Sequence, residues 1–322
     1  MPKKILVTGA TGFLGSALIK HFDTLPETSV VAPLRSLDRK LPDTVEATYI
    51  SNIDRATNWT QSLSGVNVIV HSAARVHVMH ESLARSLEKF REINVEGTLN
   101  LARQAIQAGV KRFIFISSIK VNGESTAAGH AFSADDNPNP SDPYAISKYE
   151  AEQQLMQLAK KGAIEVVIIR PVLIYGAGVG ANFQQMMRWL IKGIPLPFGA
   201  VNNQRSLVSL ENVVDLINTC IDHPRAANHI FLASDDSDVS TTQLMRRLVK
   251  HLGVDTWLVP VPPGLLMFLA GLLGRRAVAQ RLLGSLRVDI QKNKEVLGWH
   301  PPVSLDEALK LTAQHFLESR QT

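Results

Sequence analysis

Cysteine is nearly absent from this sequence, which contains only Cys220 among its 322 residues. A single thiol cannot form a disulfide within the chain, so the class of small, disulfide-stabilised extracellular domains is excluded. The lack of cysteine also favours a reducing compartment, and we expect a cytoplasmic protein. A secretory leader is not expected either, because a glycine-rich motif begins within the first ten residues.

Long runs of positive charge are also missing, although the formal net charge is +5. The basic residues are spread along the chain. That distribution argues against a nucleic-acid-binding surface and favours a weak attraction to anionic substrates such as nucleotide diphosphates. With 45% hydrophobic residues, the chain can form one large domain with an appendage, or two domains.

No apolar run is long enough to cross a membrane. The one segment that could suggest a membrane, residues 264–273, has about half the length that a bilayer requires. Arg275, Arg276 and Arg281 follow it. A buried or interfacial helix is the favoured interpretation, so membrane contact is not expected. Peripheral contact through this segment stays open as an alternative.

The start of the chain has the pattern of a strand, a glycine turn and a helix. Residues 4–8 (KILVT) are apolar and partly β-branched, as in a buried strand, and residues 16–22 have helical character. The glycines between them follow the spacing G-x-x-G-x-x-G, which allows a tight turn, backbone approach to a pyrophosphate, and close packing of helix on strand. The turn therefore predicts dinucleotide binding. Its predicted cofactor-binding residues are Gly9, Thr11, Gly12, Phe13, Leu14 and Gly15.

The end of the second predicted strand, residues 29–34, lacks an acidic residue. An acid at this position would bind the 2′-hydroxyl of NAD, whereas an arginine accommodates the 2′-phosphate of NADP. Arg35 stands there, with Ser36 beside it and Asp38 shortly after. NADP(H) is therefore favoured as the cofactor, and NAD(H) stays possible because of Asp38.

Strands and helices alternate along the first half of the chain. Further strands are predicted at residues 66–71, 112–117 and 165–170, and helices at residues 92–108 and from Pro143 onward. Such βα repeats predict a parallel sheet with helices on both faces, in which ligands bind at the carboxyl ends of the strands. The residues at these ends are Ser72, Ala73, Ala74, Ser117, Ser118, Arg170 and Pro171.

Tyr144 and Lys148 are spaced one helical turn apart. An unperturbed tyrosine has a pKa of about 10, which is high for an acid or base near neutrality. A cation one turn away favours the phenolate, so Lys148 is expected to lower the pKa of Tyr144. The pair predicts a proton transfer at a sugar or alcohol hydroxyl that accompanies a hydride transfer.

Taken together, these motifs resemble the extended short-chain dehydrogenase/reductases of the nucleotide-sugar epimerase/dehydratase group. The resemblance covers nearly the whole chain. It implies an α/β fold, a Rossmann-type doubly wound parallel sheet with a smaller, discontinuous C-terminal domain for a UDP- or dTDP-sugar. The matching stretches are residues 8–15, 71–74, 94–98 (NVEGT), 117–123, 144–148, 170–171, 205–215 (RSLVSLENVVD) and 289–299 (DIQKNKEVLGW).

The resemblance also implies roles for individual residues. Ser118, with Ser117 as its rival, would hydrogen-bond the reacting oxygen, and Tyr144 would be the general acid or base. Lys148 would bind the nicotinamide ribose, and Asn94 would support the helix or a water near the site. Further implied cofactor contacts are Asn52, Ile53, Ser72, Ala73, Ala74, Asn94, Ser117, Tyr144, Lys148 and Pro171. Implied substrate contacts are Ser118, Lys120, Asn122, Tyr144, Asn182, Phe183, Arg205 and Arg281, with Asp289 as a weaker candidate, and no metal ion is expected.

The chain departs from the family pattern on the loop that would face the sugar. Asn122 replaces a usual tyrosine, and Lys120 replaces a frequent threonine or serine. Asn52 takes the place of an acid near the adenine, where an amide can also bind. These departures are expected to affect which sugar the site binds.

Several activities remain open at this point. One is a 4-ketoreductase of a UDP-4-keto-6-deoxy-N-acetylhexosamine in surface polysaccharide synthesis, favoured by Arg35 and by the stretches 117–124 (SSIKVNGE) and 73–79 (AARVHVM). Another is a UDP-glucose or UDP-N-acetylglucosamine 4-epimerase with tightly bound NAD. A 4,6-dehydratase would need an Asp-Glu pair after the serine, where Ile119 and Lys120 stand. A non-catalytic NAD(P)-binding regulator would generally lack the tyrosine or the lysine.

The resemblance finally implies a domain division and an oligomer. Residues 1–170 and 208–228 would form the dinucleotide-binding domain, and residues 171–207 and 229–322 would bind the nucleotide sugar. Helices 92–108 and 143–160 would form a homodimer through a helix bundle.

Overall fold

The protein is described by a computed structural model that covers residues 2–36, 38, 41–76 and 83–320. A seven-stranded parallel sheet forms its centre, with strand order β3-β2-β1-β4-β5-β6-β9. A separate two-stranded parallel sheet pairs β7 with β8. The strands are β1 (Lys3–Thr8), β2 (Thr28–Leu34), β3 (Glu46–Tyr49), β4 (Val68–His71), β5 (Arg112–Ile116), β6 (Glu165–Pro171), β7 (Leu173–Tyr175), β8 (Leu207–Ser209) and β9 (His229–Ala233).

Eleven α-helices occur in the described part of the chain. A π-helical segment, Arg91–Gly97, joins α2 to α3, and 3-10 turns lie at Ile119–Val121 and Pro224–Ala226. The α-helices are α1 (Phe13–Asp23), α2 (Leu83–Phe90), α3 (Thr98–Gln107), α4 (Pro143–Lys160), α5 (Ala181–Ile191), α6 (Leu210–Asp222), α7 (Thr241–Leu252), α8 (Pro263–Leu272), α9 (Arg276–Leu283), α10 (Gln291–Leu297) and α11 (Leu305–Glu318).

The large sheet is buried on both faces, as expected for a parallel sheet whose crossover helices cover it. One hydrophobic core lies between the sheet and α1 and α6, and a second lies between the sheet and α3 and α4. Alternate residues of each strand point into the two cores, so Val7 of β1 packs on one side and Leu6 on the other. This is the doubly wound α/β fold that the sequence predicted.

A third core lies apart from the sheet, among α5, α7 and α11. Tyr175, Phe183 and Leu309 are fully or nearly fully buried in it. The Tyr175 hydroxyl donates to Asp235 Oδ2 over 2.7 Å, which satisfies a polar group inside this core. A separate core for the C-terminal elements agrees with a second, smaller unit of structure.

The last strand of the large sheet corrects the predicted domain boundary. β9 pairs in parallel with β6, and Pro171 is the register partner of Ala233. Residues 229–233 are therefore part of the seven-stranded sheet, beyond the boundary at residue 228 that the sequence suggested. The sequence could not show this, because strand pairing joins residues about sixty positions apart.

The apolar segment near Leu265 forms α8, and none of its residues is buried. A buried helix is therefore wrong for this segment, and the interfacial alternative remains. Across the described residues, no helix combines the length and the hydropathy needed to span a bilayer.

Candidate active site

The glycine turn joins β1 to α1 with very little space around its backbone. Gly9 adopts a φ of +72°, and a Cβ there would lie 3.0 Å from the Ala73 nitrogen. A Cβ on Gly15 would lie 2.0 Å from the Gly9 carbonyl oxygen, so α1 can pack on the turn only if residue 15 is glycine. Gly12 precedes the first residue of α1, and no side chain caps the N–H groups of the first turn. The turn thus offers free backbone donors to an anion, which fits a dinucleotide pyrophosphate.

The turn lies where the strand order reverses, between β1 and β4. The hydroxyl of Ser72 donates to the carbonyl oxygen of Thr8 over 2.6 Å, and the Ala73 nitrogen donates to Thr8 Oγ1 over 3.2 Å. Ala74 follows in a half-buried position. The glycine turn and the small-residue turn therefore form one crevice, as a dinucleotide site at a topological switch point requires. Of the stretch 73–79, residues 77–79 lie outside the described residues.

His71, at the end of β4, is a residue that the sequence did not single out. It is completely buried, with Nδ1 2.7 Å from Thr8 Oγ1 and Nε2 2.9 Å from Thr98 Oγ1. Burial, with a smaller contribution from the Lys148 charge, lowers the pKa of His71 to about 3. The imidazole is therefore neutral and ties the floor of the crevice to α3.

Asn94 lies in the π-helical segment and connects the crevice to α4. Its Oδ1 accepts from the Arg75 nitrogen over 2.9 Å, and its Nδ2 donates to Ser147 Oγ over 3.0 Å. Nδ2 also donates to the Arg75 carbonyl oxygen over 3.1 Å. Both ends of the buried amide are thus satisfied, and Asn94 fixes α4 relative to the loop after β4.

α4 carries Tyr144 and Lys148 on the side that faces the carboxyl end of β5. Asp142 caps the helix, because its Oδ1 accepts from the Ala145 nitrogen over 2.7 Å. The Lys148 ammonium is buried, donates to the Ile116 carbonyl oxygen over 2.8 Å, and lies 4.4 Å from the centre of the Phe115 ring. Burial, opposed in part by Glu152, lowers the pKa of Lys148 to about 7.

The pKa of Tyr144 moves in the direction opposite to that expected from the sequence. Burial and then the negative charge of Asp142 raise the pKa of Tyr144 to about 12. Phe90 contributes to this burial, with its ring centre 6.0 Å from that of Tyr144. Lys148, whose ammonium is directed to the Ile116 carbonyl oxygen, does not contribute to this shift. The phenol is therefore protonated in this structure and is suited to donate a proton or a hydrogen bond.

The two serines after β5 have different environments. Ser117 is buried, its nitrogen donates to the Ile169 carbonyl oxygen over 2.8 Å, and its hydroxyl has no partner among the described residues. Ser118 is half-buried, and its hydroxyl accepts from the Lys120 nitrogen over 3.3 Å. A buried hydroxyl without a partner is uncommon, so Ser117 offers an unused polar group at the strand end where a cofactor is predicted.

Lys120 lies between two carboxylates next to the tyrosine. Its ammonium contacts Asp142 Oδ2 and lies 3.2 Å from Glu124 Oε1. Each of the three side chains is partly exposed. Lys120 therefore joins the loop after β5 to the start of α4.

The Asn122 side chain forms hydrogen bonds within the protein through both its oxygen and its nitrogen. Its Oδ1 accepts from Arg170 Nη1 over 2.9 Å, and its Nδ2 donates to the Ser133 carbonyl oxygen over 2.9 Å. Arg170 is itself buried and forms an ion pair with Glu152 of α4. Asn122 also lines the cleft described below, and its contact with a substrate stays a prediction. Glu152, which the sequence did not single out, anchors α4 to β6 one turn after Lys148.

A cleft opens between the start of α4 and the loop that follows the 3-10 turn at Ile119–Val121. Most of its lining residues have polar side chains that can hydrogen-bond a sugar; the lining consists of Asn122, Gly123, Glu124, Ser125, Phe132, Asp136, Asn137, Asn139 and Ser141. Gly123 has a φ of +154°, and a Cβ there would lie 2.8 Å from the Phe132 ring. This close approach holds the loop beside the phenylalanine.

The predicted nucleotide contacts lie on the C-terminal elements. Asn182 is exposed at the start of α5, whereas the Phe183 side chain is buried and stacks on Tyr175 with ring centres 5.6 Å apart. A ligand contact from Phe183 could come only from its backbone. Arg205 Nη1 donates to the carbonyl oxygens of Arg281 (2.8 Å) and Gly284 (3.2 Å), which brings the two predicted arginines together. Partial burial lowers the pKa of Arg205. Asp289 is exposed, and its Oδ1 accepts from the Gln291 nitrogen over 2.7 Å.

The predicted adenosine end of the site is formed by the loops after β2 and β3. Arg35 is exposed, and the neighbouring Ser36 hydroxyl donates to Asp38 Oδ2 over 2.9 Å. Asn52 and Ile53 are half-buried after β3, and the Asn52 side chain hydrogen-bonds the Asp54 carboxylate. Pro171 is buried at the end of β6. All of these residues lie at the carboxyl edge of the sheet.

The doubly wound sheet, the glycine turn at its switch point and the serine, tyrosine and lysine beside it define an enzyme of the extended short-chain dehydrogenase/reductase type. Residues 5–233 match the NAD dependent epimerase/dehydratase family, and the chain belongs to this family. The matched region ends at the last residue of β9, the strand that completes the large sheet.

Two curated relatives and one solved structure are similar to this chain over most of its length. The chain is 50% identical over 320 residues to the UDP-glucose 4-epimerase of Vibrio cholerae, covering 99% of this chain and 97% of that protein. It is 27% identical over 275 residues to N-acetyl-alpha-D-glucosaminyl-diphospho-ditrans,octacis-undecaprenol 4-epimerase of Escherichia coli O157:H7, covering 83% and 78% of the two chains. The crystal structure of UDP-glucose 4-epimerase with UDP-glucose from Thermotoga maritima has a TM-score of 0.77 at 24% identity, over 98% of this chain and 99% of that one. This last likeness shows the shared fold.

Proposed function

We propose that the protein is a UDP-hexose 4-epimerase that uses tightly held NAD. The observation that carries the proposal is the 50% identity, over 99% of this chain, to the Vibrio cholerae UDP-glucose 4-epimerase. The site contains a serine, a tyrosine and a lysine beside a dinucleotide crevice, which are the groups that an oxidation and reduction at C4 needs. This proposal takes up the epimerase alternative of the sequence analysis in preference to the ketoreductase.

Tyr144 is proposed to take and return the proton of the C4 hydroxyl. Its pKa of about 12 keeps the phenol protonated without ligands. A cationic group that approaches the phenol on ligand binding would lower this pKa and permit proton removal. Ser118, on the loop after β5, is proposed to hydrogen-bond the same oxygen and to hold it in place during the transfer.

Lys148 is proposed to hold the nicotinamide ribose. Its ammonium bonds only to the Ile116 carbonyl oxygen among protein groups in the described chain, so two of its three protons can reach ribose hydroxyls. The bound nicotinamide supplies a hydride acceptor and donor. The glycine turn, Ser72 to Ala74, Asn94, Ser117 and Pro171 are proposed to line the rest of the cofactor site.

The nucleotide diphosphate is proposed to lie beside Arg205 and Arg281, with Asn182 and the Phe183 backbone nearby. Arginine forks match diphosphate oxygens through paired charge-assisted bonds. The sugar would then point into the cleft towards Lys120, Ser118 and Tyr144. This placement divides the chain into a dinucleotide unit, extended to residue 233, and a nucleotide-sugar unit.

A second candidate function is the 4-ketoreductase with NADPH. Arg35 favours it, because the exposed guanidinium follows β2 where no acid is present to bind a 2′-hydroxyl. A reductase would exchange its cofactor with the cellular pool, whereas an epimerase would keep one bound cofactor that is reduced and then reoxidised in each turnover. The two functions therefore differ in what the purified protein carries.

The deciding experiment combines mass spectrometry of the released cofactor with an assay free of added cofactor. The epimerase predicts stoichiometric NAD in the purified protein and conversion of UDP-glucose to UDP-galactose without additions. An empty site that binds NADPH and oxidises it with a UDP-4-keto-6-deoxy sugar would contradict the epimerase and establish the reductase.

A homodimer through α4 and residues 91–107 is also proposed. Arg91 and Glu150 form a partly exposed bidentate ion pair across these helices, beside Arg55, Glu96, Arg103 and Gln154. Light scattering of the purified protein tests this assembly, and a monomer at micromolar concentration would contradict it.

A further inference from the structure

The α8 helix presents its most hydrophobic face to solvent. Leu265, Phe268, Leu269 and Leu272 follow the spacing i, i+3, i+4 and i+7, which places them on one side of the helix. Their exposed fractions are 48%, 62%, 44% and 70%, and Leu273, which follows them, is 74% exposed. In a water-soluble protein, a stripe with this spacing ordinarily packs onto the core. Here it forms a contiguous apolar surface, which marks an interaction site.

Arginines accompany this surface in a segment of the sequence that contains no acidic residue. Between Asp255 and Asp289 the chain has no aspartate or glutamate, but it has four arginines. Arg287 pairs with Asp238, whereas Arg275, Arg276 and Arg281 are exposed and show no ion pair within the described residues. We call the exposed apolar residues of α8, Leu273, Val278, Arg275 and Arg276 the α8–α9 patch.

The segment that follows α9 connects the α8–α9 patch to the loop beside the cleft. The end of α9 is held by Arg205 and by Asn203, whose Nδ2 donates to the Leu282 and Gly284 carbonyl oxygens over 3.1 and 2.8 Å. Just after α9, the Ser285 carbonyl oxygen accepts from the Thr126 nitrogen over 2.9 Å. Thr126 follows the cleft residues Glu124 and Ser125. The C-terminal end of α9 is therefore held by Asn203 and Arg205, and the residue after Gly284 is bonded to the loop that lines the cleft.

We propose that the α8–α9 patch binds the anionic surface of a lipid bilayer. Ten residues are too few to span the hydrocarbon core, so α8 would lie in the interface with its leucine and phenylalanine side chains among the acyl chains. Arg275 and Arg276 would contact the acidic headgroups, each contributing about 1 kcal/mol by the general rule for basic residues at such surfaces. An apolar stripe beside unpaired cations is complementary to an acidic lipid surface in both respects.

A second copy of the chain is a poorer match for the same surface. In a symmetric contact the patch meets itself. Each copy would then bring exposed arginines and no acid from residues 256–288, which leaves like charges unmatched. The lipid surface supplies the missing negative charge. The proposal concerns binding of the protein to a lipid surface, and it does not depend on which sugar the enzyme uses.

Co-sedimentation of the full chain with vesicles tests the proposal. At low ionic strength, the protein is expected to sediment with vesicles of equal phosphatidylcholine and phosphatidylglycerol and to bind pure phosphatidylcholine much less. Arg275→Ala with Arg276→Ala should lower the partition coefficient about thirtyfold, since each charge is worth roughly fivefold. Phe268→Glu with Leu272→Glu should lower it about a hundredfold by removing two inserted side chains.

A matched pair of substitutions elsewhere controls for exposed apolar residues in general. Leu173→Glu with Leu311→Glu changes two side chains that are 50% and 42% exposed outside the patch, and it should leave vesicle binding unchanged. Circular dichroism and thermal unfolding establish that each variant is folded. If the glutamate pair in α8 prevents folding, the arginine pair carries the test.

Three results would overturn the proposal. The first is a folded wild-type protein that stays in solution with anionic vesicles. The second is loss of binding in the Leu173 and Leu311 control equal to that in the patch variants. The third is a wild-type assembly that ignores vesicles and becomes smaller, by light scattering, with Phe268→Glu and Leu272→Glu. That last result would assign the patch to self-association.

Discussion

At the scale of single residues, the chemistry of the site depends on how burial changes the pKa values of a few groups. Tyr144, Lys148 and His71 all lie near the carboxyl ends of β4 and β5, and burial is the largest cause of the pKa shift in each. In each case burial favours the uncharged form. These three side chains therefore carry less charge than their residue types suggest.

Replacing Tyr144 by phenylalanine tests its proposed role directly. Turnover should fall by about a hundredfold or more, the usual worth of general acid–base catalysis, while cofactor binding is retained. Tyr149→Phe is the control, since Tyr149 lies on the same helix and its hydroxyl accepts from Gln153 Nε2 over 3.0 Å, with no other hydrogen bond among the described residues. Steady-state rates with a UDP-hexose measure the effect, and near-normal turnover of the phenylalanine variant would remove Tyr144 from the mechanism.

Lys148 should make the stability of the ligand-free protein depend on pH. Its pKa is about 7 in the folded protein and near 10.5 otherwise, so between these values the unfolded chain binds more protons. The free energy of unfolding should therefore rise with pH from about 7 towards 10. Below pH 7 the lysine is protonated in both the folded and the unfolded state, so it should add no pH dependence there. Denaturant unfolding at several pH values, compared with Lys148→Met, measures it. An equal pH slope in both proteins would contradict the buried, weakly basic ammonium.

Arg35 should determine the preference between the two dinucleotides if it faces the 2′-phosphate. Arg35→Ala is then expected to weaken NADPH binding by about tenfold or more, as for loss of a charge-assisted contact, and to leave NADH binding nearly unchanged. Fluorescence titration with both cofactors measures the difference. Equal losses for the two cofactors would show that the guanidinium does not contact the phosphate.

At the scale of elements, α4 shows how a local signal and a distant contact combine. The sequence 141–143 (SDP) predicted its start, and Asp142 is indeed its N-cap. The Arg170–Glu152 ion pair and the Asn94–Ser147 hydrogen bond then fix the helix against β6 and the π-helical segment. No local pattern marks these partners, because they are 18 and 53 residues apart.

Asp142 links the cap of α4 to the acidity of Tyr144. Asp142→Asn keeps a capping side chain but removes the charge that raises the tyrosine pKa, so the pKa of Tyr144 should fall. The limb of the pH–rate profile that reports Tyr144 should then move to lower pH. Asp142→Ala should show the same shift and also lose about 1 kcal/mol of stability with the cap.

Glu124→Gln provides the control for this experiment, because it removes the other carboxylate next to Lys120. Asp142, and not Glu124, contributes to the raised pKa of Tyr144. A profile that moves equally in the Glu124 and Asp142 variants would indicate that Lys120, freed from either partner, is responsible.

Other elements were predicted with the right type and imperfect limits. The strands predicted at residues 29–34, 112–117 and 165–170 differ from the observed strands by one residue at an end. The helix predicted at 92–108 is helical, but its first part is a π-helix around Asn94. Apolar periodicity cannot reveal this change, and it cannot reveal the contacts of Asn94 with Arg75 either, because the two residues are 19 positions apart.

At the scale of the whole molecule, the dinucleotide should act as a stabilising ligand. The crevice joins β1, β4 and β5, so binding is coupled to the folding of the large sheet. At a cofactor concentration about 100 times the dissociation constant, the free energy of unfolding should rise by about 2.7 kcal/mol. Removal of retained cofactor should lower the melting temperature correspondingly, which calorimetry measures.

Gly12→Ala is the matched control for this effect. Gly12 has a φ of −83°, which alanine adopts, and a Cβ there would lie 3.2 Å from the Gly9 oxygen, so a small adjustment suffices for folding. The added methyl group would stand where the pyrophosphate is proposed to approach. The variant should fold yet show little stabilisation by NAD, and full stabilisation would place the cofactor elsewhere.

The sequence alone determined the features that depend on short-range geometry. The glycine turn follows from the space that Cβ atoms would occupy, and the Tyr144–Lys148 spacing follows from the helical period. Only the tertiary structure decided the rest. It added β9 to the large sheet, exposed the apolar face of α8, and buried the Tyr144 phenol near Asp142, so that the pKa of Tyr144 is raised rather than lowered. The physical reason is that strand pairing, burial and desolvation depend on residues far apart in the chain, which no local pattern of residue types contains.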